Sequence, residues 1–170
     1  MSLTVSRMRK RLMNEQISHY GGGRGRVDIA SLASFRFSSE DPNHPLDHLI
    51  DGCCGRGGTR WAGAQADTTE CIELEFEPAQ EISRLIYEVE ESGVERTQQV
   101  RVEISTDQGR IYRQVLAQDF NSSPCGATFQ REEIGLDARS VTHVKLTIVP
   151  NKGGSGVATL TSLQLFTGPF

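Results

Sequence analysis

A chain of 170 residues, 36% hydrophobic and 24% charged, is long enough for one domain with a sizeable core and short for two. With 17 glycines and 6 prolines it is neither collagen-like nor disordered throughout, and no apolar run approaches the ~20 residues that span a bilayer, so no membrane insertion is expected. The formal net charge is −4, but six of the basic residues (Arg7, Arg9, Lys10, Arg11, Arg24, Arg26) fall within the first 26 positions against Glu15 alone. The acidic remainder does not attract phosphate backbones, so nucleic acid is a candidate partner for the N-terminal arm only.

Residues 4–19 place Val5, Met8, Leu12 and Gln16 at helical spacing, which predicts a short helix or a flexible arm. Met1-Ser2-Leu3 is similar to an expression-vector remnant, and a native start at Thr4 or later is expected. No apolar segment of the secretory kind follows the basic start. Gly21–Gly25 reads as a linker, which divides the chain into an arm, 1–26, and a domain, 27–170.

Within the domain, period-two alternation dominates. Ile72, Leu74 and Phe76 alternate with Glu73, Glu75 and Glu77, the pattern of a strand with a solvated acidic face. Leu85, Tyr87 and Val89 alternate with Arg84, Glu88 and Glu90, with Ile86 breaking the polar side. Val100, Val102, Ile104 and then Val144, Leu146, Ile148 repeat the pattern, and Leu160–Phe166 is apolar on both faces. Turns at Asp107–Gly109, Asn121–Pro124 and Asn151–Gly154 separate these runs. Short strands with no helical period between them predict an all-β sandwich of antiparallel strands.

Four cysteines occur, at 53, 54, 71 and 125, with no CxxC pair. Cys71 opens a strand and reads as structural. Reduced thiols and a cytoplasmic location are the expectation. Asn121-Ser122-Ser123 is a glycosylation sequon that matters only in a secreted chain. Enzyme chemistry finds little support. His44 and His48 are four apart but flank Pro45, no HExxH or nucleophile elbow is present, and no catalytic residue is assigned.

The most specific stretch runs from Ser38-Ser39 through Pro42, Pro45 and the Leu49-Ile50-Asp51-Gly52 motif to Thr59-Arg60-Trp61. Cys71–Phe76, Ile82–Ile86, Ser105–Gly109 with Tyr112, Val144–Ile148 and Leu160–Phe166 follow in order. Together they resemble a discoidin, or factor V/VIII type C, domain of the galactose-binding-like superfamily, over roughly 27–167. The short length is similar to that of small intracellular members, such as an intraflagellar transport subunit and the N-terminal domain of a DNA-repair scaffold.

The resemblance implies a jelly-roll sandwich of about eight strands and a non-catalytic module that binds protein or carbohydrate through loops at one end. It also implies a structural Ca²⁺ held by Asp51 and Thr59 side chains and by the carbonyls of His48, Cys53 and Thr161. Ser162 stands where relatives carry a completing Glu, and the loop from Asp51 to Thr59 is longer than usual. Ligand candidates at the loop end are His44, His48, Arg56, Arg60, Asn151 and Lys152, while Trp61 is assigned to the core.

Overall fold

The computed structural model describes residues 10–12 and 25–168. Nine strands are defined: β1 (Lys10–Leu12), β2 (Ala33–Phe37), β3 (Trp61–Ala66), β4 (Glu70–Glu90), β5 (Arg96–Ser105), β6 (Arg113–Ser122), β7 (Phe129–Val149), β8 (Val157–Leu160) and β9 (Ser162–Phe166). A one-turn helix α1 (Ile29–Leu32) is capped by Asp28, whose carboxylate accepts from the Ser31 amide and hydroxyl. A 3₁₀ turn (Leu46–Ile50) buries Leu46 and Leu49, as the apolar spacing after Pro45 predicts.

The expected sandwich is present. The main sheet runs β1-β2-β4-β7-β5-β6, β9 flanks β4, and β3 pairs with β8. Every pairing but β1–β2 is antiparallel. In the arm, Lys10–Leu12 is a strand rather than the predicted helix, and the rest of 4–19 lies outside the described residues.

Two expected short strands merge into one. β4 covers both 72–76 and 85–89, and its core-facing residues change parity from Ile72, Leu74, Phe76 and Ile82 to Leu85, Tyr87 and Val89. A parity change means an inserted residue, and the β4–β7 register does shift three times between Glu75 and Arg84. Across these bulges β4 exchanges one neighbour for another: Ile72–Phe76 pair with β2, whereas Arg84–Glu88 pair with β9. β7 bends opposite it, with Ser140 in the left-handed region at φ 54°. The halves close one core containing Phe35, Trp61, Leu74, Tyr87, Val102, Leu146 and Leu163.

The run 160–166 divides in the opposite sense. β8 and β9 are separate strands parted at Thr161, where the chain leaves β3 and joins β4.

The outer face of the first half of β4 is only in part the solvated acidic stripe that its alternation predicts: Glu77 is exposed, but Glu73 is covered. Glu73 is buried, facing the Arg36 guanidinium at 3.4 Å and His143 Nε2 at 3.8 Å. The Ser105–Tyr112 turn folds back over this face. Lys145 Nζ sits 3.9 Å from the Tyr112 ring centroid and 3.3 Å from Glu103. Strand alternation reports which side faces the core, and a loop covering the other side leaves no period-two trace.

Cys71 shares this covered face. Burial, followed by the Glu73 charge, pushes its thiol up to about 11. Cys53, Cys54 and Cys125 are exposed. At pH 8 only about one Cys71 in a thousand is thiolate. Iodoacetamide should therefore modify three cysteines in the folded chain and all four in urea, as counted by peptide mass spectrometry; rapid native labelling of Cys71 would contradict this packing.

Candidate functional site

The loop end of the sandwich is organised by polar residues at core positions. Inward positions of β5 read Arg96, Gln98, Val100, Val102, Ile104, so the apolar phase turns polar over its first turn of pleat. Gln98 donates to the Thr159 carbonyl at 2.8 Å and accepts the Thr159 amide at 3.0 Å. The Arg96 side chain donates to the carbonyls of Pro150 (2.8 Å) and Val157 (2.7 Å), to the Thr159 hydroxyl (2.9 Å) and to Glu91 (3.2 Å). Burial pulls the Arg96 guanidinium below its usual range, and the Glu91 carboxylate opposes that shift. Gly156 packs close beside it, and a Cβ there would crowd the Arg96 side chain at 3.3 Å.

Above this floor lies an open groove of about 610 Å³, lined among others by Asp41, His44, Arg60, Glu91, Val94 and Gly156. Asp41 Oδ1 accepts the Asn43 amide at 2.8 Å, and Oδ2 lies 3.4 Å from His44 Nδ1. The Asn43 bond holds the Asp41 carboxyl below its ordinary range; desolvation opposes it, and the His44 contact and the Arg60 charge add to the lowering. Arg60 is exposed, and among the described residues no hydrogen bond or ion pair engages its guanidinium. A fixed acceptor, an imidazole and a free planar donor thus converge on one polar surface. Val94 adds an exposed apolar contact, and among the described residues no Trp, Tyr or Phe lines the groove.

The sequence candidates distribute unevenly around this groove. His44 and Arg60 line it. His48 sits behind, its Nδ1 2.8 Å from the Arg60 carbonyl. Arg56 points away, donating to the Thr128 hydroxyl at 2.9 Å with its guanidinium 5.2 Å from the centroid of Phe129. Asn151 and Lys152 border a separate depression with Asn121, and Lys152 is paired with Asp119 at 3.0 Å. Asp41, Glu91 and Arg96 were not among the candidates. Arg96 and Gln98 do carry a sequence signal, because they continue the parity of Val100, Val102 and Ile104.

Trp61 is fully buried as assigned, and its indole donates to the Ser39 carbonyl. Glu70, also buried, accepts from the hydroxyls of Ser38 and Ser39 and packs where a Gly63 Cβ would be, which explains the Ser-Ser pair and that glycine together.

The loop expected to hold Ca²⁺ places four of its five candidates close together. The Thr59 hydroxyl donates to Asp51 Oδ2 at 2.5 Å and lies 3.5 Å from the His48 carbonyl, while Asp51 Oδ1 accepts the Cys53 amide at 2.8 Å. Thr161 lies on the neighbouring strand junction, its amide bonded to Glu88. A hard divalent cation takes six or more oxygens. Both Asp51 oxygens are already occupied by donors, and no three His, Cys, Asp or Glu side chains among the described residues gather at cation distance. Asp51 is the one carboxylate of the expected donor set, and with both its oxygens hydrogen-bonded it offers little charge to a divalent ion.

The fold is a two-layer antiparallel sandwich with a polar groove at its loop end. The chain belongs to the F5/8 type C domain family, which matches residues 34–162. No curated protein matches it. Among solved structures it is similar to the family 32 carbohydrate-binding module of Clostridium perfringens NanJ in complex with galactose (13% identity, 79% of this chain and 93% of that one, TM-score 0.56). It is similar also to two modules from C. perfringens GH89. One is in complex with GlcNAc-α-1,4-galactose (16%, 86% and 97%, 0.61) and the other with GalNAc-β-1,3-galactose (22%, 79% and 95%, 0.54). At these identities the likeness is one of fold. No described helix is long and apolar enough to cross a membrane.

Arg96 is the residue whose loss the site should tolerate least. Arg96→Ala strands three acceptors and the Glu91 carboxylate. It should lower the unfolding free energy by about 3 kcal/mol, read from urea midpoints at constant m-value; a change within ~0.5 kcal/mol would refute the bridging role.

Proposed function

We propose that this chain is a non-catalytic recognition module whose loop-end groove binds a hydroxyl-rich ligand, a glycan being the reading the chemistry favours. The observation that carries it is the convergence of Asp41, His44 and Arg60 on one open surface, with Arg60 uncommitted. Adjacent sugar hydroxyls both donate and accept, so they match a carboxylate beside a guanidinium in a way that a purely anionic or apolar ligand does not. The galactose and GalNAc-galactose complexes of similarly folded modules support this class of ligand. Among the described residues the groove has no aromatic platform of the kind that strengthens sugar binding, so affinity rests on hydrogen bonds and stays modest.

A glycan array followed by calorimetry with the best hit tests this reading. Arg60→Ala, and separately Asp41→Asn, should weaken binding at least ~10-fold, about 1.4 kcal/mol. Arg56→Ala and Lys152→Ala should leave affinity unchanged, because those side chains are committed elsewhere. A protein that captures no glycan, or one whose glycan affinity ignores Arg60, would overturn the assignment; in the first case a protein ligand for the same groove becomes the reading to pursue.

A further inference from the structure

The loop Cys53–Gly58, whose Gly57 and Gly58 form a wall of the groove, is tied to β4 by contacts of unexpected polarity. Glu88 and Glu90 are two apart on one face of that strand. Glu88 Oε2 accepts the Gly55 amide at 2.7 Å and the Ser162 hydroxyl at 2.9 Å, and Glu90 Oε2 accepts the Gly57 amide at 2.9 Å. Glu88 is only 5% exposed, although it lies on the nominally outward side of its strand. Ser162, opposite it in the β4–β9 register, is the position where the resemblance leads one to expect a metal-completing Glu.

A cation loop turns carbonyl oxygens toward its centre. Here the alternate residues Gly55 and Gly57, both at positive φ (82° and 75°), turn N–H groups toward an anion instead. Amide hydrogens aimed at the carboxylates would repel a cation placed between them. Asp51 ties the other end of the loop in the same manner, through the Cys53 amide and the Thr59 hydroxyl.

We propose that Glu88 and Glu90 are positioning residues that replace a loop cation: the wall is held by built-in carboxylates and folds without Ca²⁺. The lengthened loop has a physical role on this view, since the extra residues let it reach across to β4. This inference concerns the wall and stands whether or not the groove binds a glycan.

The test uses the whole chain, with melting temperature and trypsin cleavage after Arg56 as readouts, each in excess Ca²⁺ and in excess EDTA. Wild type should melt at the same temperature in both, within ~1 °C, whereas a bound ion at many times its dissociation constant raises it by several degrees. Glu88→Gln and Glu90→Ala should each speed cleavage at Arg56 at least ~5-fold, with no rescue by Ca²⁺. Glu90 is only half-buried, so its variant remains informative if Glu88→Gln fails to fold. Calcium-dependent melting or protection of wild type, abolished by Asp51→Asn, would overturn the proposal and make Glu88 a metal ligand. Unchanged cleavage in the Glu90→Ala and Glu88→Gln chains would overturn it as well.

Discussion

A guanidinium at a core position is the constraint on which the loop end depends. Arg96 lies in the inward phase of β5, where no backbone pairing connects its sheet to the one formed by β3 and β8. Arg96 and Gln98 supply that connection, taking up the polar groups of Pro150, Val157 and Thr159. Burying a charge costs several kcal/mol before compensation, so this arrangement persists only because every facing oxygen accepts. The consequence is architectural. Along β5 the inward apolar run ends at Val100, and beyond it side-chain hydrogen bonds from Gln98 and Arg96 join the strand to β8.

The fold was legible wherever one face of a strand meets the core and the other meets water. Val100–Ile104 and Val144–Ile148 satisfy that condition on the core side and appear in the structure as their alternation predicts. Where a strand bends, parity becomes the signal. The switch from Phe76 and Ile82 to Leu85 was readable as two strands or as one bulged strand, and only pairing partners decide between them. Coverage of an outer face was not legible at all. Glu73 and Glu88 look alike in the sequence, but the Tyr112 turn covers one and the Gly55 loop covers the other.

The site was legible in part for a related reason. His44 and Arg60 flank the Pro-rich turn and the buried Trp61, so their place at the loop end follows from the motif that anchors them. Arg56, Asn151 and Lys152 are polar loop residues of the same general description, yet each is committed to a nearby partner or a separate depression. Asp41 escaped notice because an Asp before Pro reads first as a turn former, and here its carboxylate serves the turn through Asn43 while facing the groove. Residue type and loop position nominate candidates; the hydrogen bonds a side chain has already made decide which remain available.

The same reasoning separates the two ends of the groove by role. On the wall side, the carboxylates of Glu88, Glu90 and Asp51 are consumed by backbone amides and hydroxyls of one loop. On the floor, Glu91 is consumed by Arg96 and by the amides of Gly93 and Val94. Arg60 alone among the groove's charged groups makes no internal hydrogen bond or ion pair among the described residues. An exposed Arg side chain with no internal partner gives up rotamer freedom when a ligand orders it, a cost that its new hydrogen bonds must exceed. Selectivity then rests on what can satisfy a planar donor beside the Asp41 acceptor without displacing either from its frame, which is a demand on ligand geometry more than on ligand charge.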